Sequence, residues 1–376
     1  MAERVNKRDV SPIVDSVQLG AGSTLHGGQN YTGYKNPISA GFTKDPHYAA
    51  FSAFDFHSLN LGVHQELIEL DLFNYIIAKF SVQEFADAGL SEDDIHLLRF
   101  FAQQEVGHAV VLSNLLGAKA PKTCKYSYPF NTVREALLFC EELTRWGESG
   151  VYGFLPSLDN SANAQILLQS IATEARQQYT FRQWLGVNSV DIWFEAGTPQ
   201  AWAWTLLSPY IVECPSHNIP VAFSIFPKLT VQNQPDLIAV GKAAGGPAIA
   251  SNTTALSAAG RQVFFEWDAP GKTQGPYGEK TEILADDKTP RYVAWLQSYN
   301  VTYSDLENVT KTSDGKYKGY TYQPGGLIYP HNSSTQGVIN GTMFTAITNS
   351  NSMYTPLNLT LINGATIAGP AIYQAG

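Results

Sequence analysis

The chain has 376 residues, 44% of them apolar and 15% charged, with a formal net charge of −9. That length carries two domains or one large one, and an acidic balance without a lysine or arginine block argues against nucleic acid as a main partner. No apolar run reaches the ~20 residues that a membrane-spanning helix needs.

The chain is polar and Gly-rich up to about Pro46, and residues 1–56 read as an extended N-terminal arm. The opening MAERVNKRDV lacks the apolar core of a signal peptide, while Lys7-Arg8 reads either as a dibasic processing site or as part of a charged tail. From His57 to Phe85 the period turns helical. Glu66, Glu69, Leu70, Phe73, Ile77 and Phe80 share one stripe, which puts two carboxylates on the inner face of the first helix. Gly89 and Ser91 break the chain. Ser91, followed by acidic residues, suits the start of a second helix that runs to Leu116.

That second helix carries Glu105-Val-Gly-His108 within the stripe Leu98, Phe101, Glu105, His108, Leu112, Leu115. Residues three apart share a helix face, so the carboxylate and the imidazole point where the leucines point. A buried carboxylate must find a hydrogen bond, a proton or a metal, and Glu-x-x-His is the spacing of carboxylate-bridged metal centres in four-helix bundles. A linker then leads to a third helix over 132–155, with Leu138, Glu141, Arg145, Glu148 and Tyr152 on one face. A fourth follows over 160–185, with Leu167, Ile171, Glu174, Gln177 or Gln178, Phe181 and Leu185 inward, and Gly186 as its stop.

The pattern predicts an α+β protein: a carboxylate-lined four-helix bundle over 57–186, a short helical connector over 187–218, and an antiparallel β-rich, sandwich-like C-terminal domain over 219–376. In the connector, Thr198-Pro199 reads as an N-cap and first helical residue. Trp193, Trp202, Trp204 and Tyr210 read as core. In the C-terminal part the runs VAFSIF, RQVFFEW, RYVAWLQSYNVTY, YKGYTYQ, TMFTAIT and LNLTLI read as strands. GGPAIASNTTALSAAGRQ reads as a long surface loop. Asn-x-Ser/Thr sequons stand at Asn30, Asn252, Asn300, Asn308, Asn332, Asn340 and Asn358, which points to an extracellular or cell-wall protein. Cys124, Cys140 and Cys214 allow one disulfide at most, and no pair has zinc-ligand spacing. No Gly-rich phosphate loop and no G-x-S-x-G elbow is present.

The stretches ELIELDLFNY, QQEVGHAVVLSNLLGA, ELTRWGESGVYGFLPSL, ATEARQQYTFRQWLG, AWAWTLLSPYIVECPSHN and NGTMFTAITNSNSMYTPLNLTLINGATIAGPAIYQAG together resemble the fungal stress-response and sexual-development proteins that carry a ferritin-like domain. The resemblance runs from about Asn60 to Gly376 and implies a fungal, secreted helical bundle with a family-specific C-terminal extension. It implies a dimetal site with Glu66 or Glu69 as terminal ligand, Glu105 bridging and His108 capping the first metal. The second half would use Glu148 or Glu141, then Glu174 and the residue three later. That residue is Gln177, where the general pattern requires histidine.

Three readings follow. One Mn, Fe or Zn ion sits on Glu66, Glu105, His108 and Glu174; or a full dimetal site is completed by Gln177, water or His64; or Gln177, Arg145 and tyrosines hold a metal-free carboxylate core. His64 reads first as a satisfied partner and His217 as a turn residue, and Arg145 and Arg176 as neutralisers of buried glutamates. The functions that fit are a structural or binding protein, with cell-wall carbohydrate or a small molecule as partner, and a metal-dependent oxidoreductase acting on peroxide or a small substrate. Ferritin-type storage fits poorly, because a shell has no place for so large an extension.

Overall fold

The computed structural model describes residues 48–190, 192, 194–243, 256–298, 300–325 and 341–376. The first helix, α1, spans Ala53–Lys79 from the N-cap Ser52, and ends earlier than the periodicity predicts. Ser81 opens a separate short helix, α2 (Val82–Asp87), through a capping box with Glu84, so a local hydrogen-bond pair overrides a continuous apolar stripe. Helix α3 (Glu92–Leu116) begins at Ser91 with a second such box to Asp94, α4 (Val133–Phe154) at Thr132 with a third to Glu135, and α5 (Ser161–Leu185) at Asn160. Gly186 ends α5 at φ 84°, a left-handed turn that costs glycine little.

The four long helices close into a ring: α1 packs on α3, α4 on α5, α1 on α4, and α3 on α5. Two buried apolar clusters fill it, one around Phe73, Phe101, Phe181 and Trp184 and another around Leu59, Val63, Leu112 and Ile171. A short helix α6 (Gln200–Leu207) lies against α4. It starts one residue later than the sequence suggests, with Pro199 outside it. Trp202 and Trp204 are buried as expected, Tyr210 is half-buried, and Trp193 falls outside the described residues. A last helix, α7 (Leu237–Ala243), touches α4 and α5.

The strands β1 (Lys125–Tyr126) and β2 (Ile211–Glu213) pair with each other beside the helices. Beyond them lie two antiparallel four-stranded sheets. The first has the order β3-β4-β10-β9, from β3 (Leu229–Val231), β4 (Gln262–Trp267), β9 (Glu307–Lys311) and β10 (Tyr317–Tyr322). The second has the order β12-β11-β7-β8, from β7 (Tyr292–Gln297), β8 (Asn300–Asp305), β11 (Thr342–Thr348) and β12 (Thr366–Gln374). A two-stranded hairpin, β5 (Thr273–Gln274) with β6 (Glu279–Lys280), completes the set.

The second sheet is buried on both faces, and strand alternation divides its side chains between two cores. Val293, Trp295, Met343 and Ile347 meet the first sheet's Val263, Phe265 and Trp267. Ala294, Leu296, Phe344 and Ala346, from the intervening positions, join the helical cluster. The protein is therefore layered as helices, sheet, sheet. Two predicted strands are not strands: VAFSIF is irregular, and LNLTLI falls on a 3-10 turn, Leu359–Ala365. Residues 245–255, most of the predicted surface loop, fall outside the described residues.

Glu141, a candidate metal ligand in the sequence, is instead the joint between layers. Its carboxylate accepts a hydrogen bond from Thr342 of β11 and another at 3.2 Å from Gln374 of β12, and lies 3.4 Å from the Arg182 guanidinium of α5. All of these groups are buried. Removing one member of such a buried pair is costly, so Glu141→Ala costs about 3–5 kcal/mol. Urea denaturation checks this, and Glu141→Gln, which keeps the shape but not the charge, loses less.

Candidate metal centre

The interior of the helical ring holds Glu66 and Glu69 from α1, Glu105 and His108 from α3, and Glu174 from α5. Each pair sits three residues apart, which places its members on one helix face. His108 Nδ1 lies 3.0 Å from Glu105 Oε2, 3.2 Å from Glu66 Oε2 and 3.9 Å from Glu174 Oε1. On the other side of the ring, Nε2 lies 3.1 Å from Thr173 Oγ1, whose own proton goes to the Ser170 carbonyl. Nε2–H therefore donates to Thr173, and Nδ1 is the atom presented to the carboxylates.

Glu69 is held from behind. Gln65 donates through Nε2 to Glu69 Oε1 at 3.0 Å and to the Leu143 carbonyl at 3.1 Å. Gly147 on α4 makes room for that amide, because a Cβ there would stand 2.5 Å from Gln65 Nε2. Gln177 donates to Glu105 Oε1 and, at 3.2 Å, to Gln104 Oε1. Glu69 Oε2, Glu174 Oε2 and Gln177 Oε1 are buried and accept no hydrogen bond among the described residues.

Burial pushes Glu66 up to about 7, with His108 opposing and Glu105 adding to the shift. Burial, followed by Glu105, Glu174 and Glu66, holds Glu69 well above the usual carboxylate range. Glu174 is raised in the same way, by burial and then Glu66. For His108 burial disfavours the charged ring, but Glu66 and Glu105 outweigh it and raise the imidazole to about 12. Two like charges 4 Å apart repel by about 4 kcal/mol at an effective dielectric of 20. The cluster is therefore balanced either by protons or by a cation.

The donor atoms form two groups, each within 4.8 Å: Glu66, Glu105 and His108, and Glu66, Glu69 and Glu174. Glu66, rather than Glu105, is common to both, and Glu69 contributes alongside Glu66 rather than in its place. The first group, with its imidazole, fits Mn, Fe or Zn; the second, all oxygen, fits a harder ion. The unpartnered oxygens are what a cation would satisfy, so the residues fit a metal.

Other candidates stand elsewhere. Glu148 belongs to neither group: Gln178 donates to it, and Arg145 Nη1 lies 3.7 Å away. Arg145 is tied to Glu195 and to the Thr342 carbonyl and so does not occupy the centre. Arg176 is exposed, as is His217. His64 contacts Tyr277 and Cys124 and completes neither group. Among the sequons, Asn308 is exposed on β9, whereas the Asn358 amide oxygen accepts from the Thr355 backbone. Asn30, Asn252, Asn332 and Asn340 lie outside the described residues, as does the Asn300 side chain. Thr173 and Gln65, which orient the ligands, escaped the sequence reading, although each directly precedes a site glutamate.

Fold and cluster together define a ferritin-like domain protein, and the family described as Ferritin-like domain matches residues 54–187. Protein rds1 of Schizosaccharomyces pombe is 44% identical over 342 residues, a match that covers 88% of this chain and 83% of that protein. The chain belongs to the fungal ferritin-like-domain family of stress-response and sexual-development proteins.

Glu148 yields a pH prediction. Burial raises it from 4.5 to about 7, against the pull of Arg145. The folded chain keeps this proton where the unfolded chain has lost it, so its contribution to stability is full below 4.5 and is lost as pH rises through about 7. Glu148→Gln flattens the fall in Tm over that window by about 2 °C or more, measured by thermal melts of chelator-treated protein.

Proposed function

We propose that the helical domain binds one divalent transition ion, Mn, Fe or Zn, on Glu66, Glu105 and His108, with Glu69 and Glu174 beside it, and that the chain is a metal-binding protein of its family rather than an iron store. The observation that carries this reading is the buried set of four carboxylates, three of them within 4 Å of the inward-facing Nδ1 of His108, with one oxygen each of Glu69 and Glu174 left unpartnered among the described residues. Thr173 accepts from Nε2–H and so fixes the ring as the hydrogen-bond partner of a metal-bound histidine does. Gln177 supplies an amide where a second imidazole would stand, so the centre is one-sided and its oxygen-only half binds more weakly.

Bound Mn or Fe would supply one-electron redox chemistry, and the three-donor group leaves coordination positions for a small oxidant. A metal-dependent oxidoreductase acting on peroxide is thus the second reading. Passage through an oxidising compartment to the cell exterior or wall is supported by the Cys124–Cys214 disulfide and by the exposed Asn308.

Metal analysis of protein purified from Mn- or Fe-supplemented medium gives about one tightly held ion per chain. Glu105→Ala reduces this to roughly a tenth or less, Glu69→Ala retains it, and Thr173→Ala weakens it about 10–100-fold. A folded wild-type chain with no ion, or unchanged loading in Glu105→Ala, ends the proposal. The same variants assayed for peroxide disproportionation decide the second reading.

A further inference from the structure

A different set of ligand atoms meets outside the carboxylate cluster. β1 and β2 pair through Lys125 and Glu213, and this brings Cys124, just before the one, to Cys214, just after the other; the two form a disulfide across 90 residues of chain. His64 of α1 is fully buried beside them, with Nδ1 3.9 Å from Cys124 Sγ. One nitrogen and two sulfurs lie within 4.8 Å of one another. Asn218 clamps the segment, accepting from the Lys122 backbone at 2.9 Å, donating to its carbonyl at 2.7 Å, and placing its amide 3.8 Å from Cys124 Sγ.

We propose that this triad is a redox-gated zinc site: with the disulfide reduced, His64 Nδ1 and the thiolates of Cys124 and Cys214 bind one Zn²⁺. The imidazole is prepared for that role. Tyr277 Oη lies 3.3 Å from Nε2, so a ring protonated at Nε2 donates to the tyrosine and turns the Nδ1 lone pair toward sulfur. Zn–N and Zn–S bonds of about 2.0 and 2.3 Å put nitrogen and sulfur roughly 3.6 Å apart in a tetrahedral site, close to the present separation. Two thiolates and an imidazole favour zinc more strongly than the oxygen-rich carboxylate cluster does.

The chemistry balances with a dithiol as reductant. Its thiolate attacks the half-buried Cys214 sulfur, Cys124 leaves as thiolate, and the second thiol of the reductant closes its own disulfide and releases Cys214. Two electrons pass from reductant to protein. Zinc then displaces the two thiol protons and occupies the site that the sulfur–sulfur bond had closed.

The test uses the full chain and Co²⁺ as a spectroscopic probe for zinc. The protein is reduced with dithiothreitol, desalted anaerobically and titrated, with far-ultraviolet circular dichroism recorded at each stage. The oxidised chain shows no thiolate-to-cobalt charge transfer. The reduced chain shows it at one equivalent and loses it on Zn²⁺ addition. Cys140→Ser keeps the band, Cys214→Ser abolishes it, and His64→Gln weakens binding by about tenfold or more, while Glu105→Ala leaves it in place. A reduced chain that stays helical but shows no thiolate band overturns the proposal, as does a band unchanged in His64→Gln. Loss of the helical signal on reduction overturns it equally, because the site requires the folded arrangement.

Discussion

Four carboxylates enclosed in one helical ring set the central constraint on this protein. Their burial costs free energy that hydrophobic packing cannot return, and each must be met by a proton, a hydrogen bond or a cation. The surroundings are arranged for this. Gln65 and Gln177 each donate to one carboxylate oxygen and leave others without a donor. His108 bridges Glu66 and Glu105 through one atom while Thr173 secures its other nitrogen. Even a backbone choice serves the cluster: Gly147 leaves space for the amide that positions Glu69.

The β region is tied to this ring by more than contact. Its second sheet is buried on both faces, so the sheet is simultaneously the floor of the helical core and one half of the sandwich. At that junction, Glu141, Arg182, Thr342 and Gln374 form a polar knot drawn from α4, α5, β11 and β12. Arg145 is similarly turned outward, toward Glu195 and the Thr342 carbonyl. Both arginines thereby engage at the layer boundary, which removes positive charge from the place where a cation would bind.

What could be read from sequence follows the range of the interactions. The long helices were legible because a 3.6-residue stripe and N-cap residues such as Ser91, Thr132 and Asn160 are local signals. The members of the carboxylate cluster were legible one helix at a time. Which of them meet was not, since Glu141 and Glu148 sit on the inward stripe of their helix just as Glu174 does on its own, and only tertiary partners separate them from the cluster. The alternating strand at 262–267 was readable, whereas LNLTLI has strand composition but folds as a 3-10 turn. The β12 strand, interrupted by Gly369-Pro370, concealed its own pairing with β11. The triad of His64, Cys124 and Cys214 left no trace in spacing, because it is assembled by the pairing of β1 with β2.

The two ligand sets differ in what they can exchange. In the carboxylate cluster Glu66, Glu69 and Glu174 have raised proton affinity, so an ion entering would have to displace protons as well as satisfy oxygen. The sulfur triad trades an electron pair, since its donors become available only when a covalent bond opens. Both sets draw on α1, where Glu66 and His64 lie two residues apart. Helical geometry directs residues at that separation to different faces, so one helix offers a carboxylate to one set and an imidazole to the other without either competing for the other's ligands.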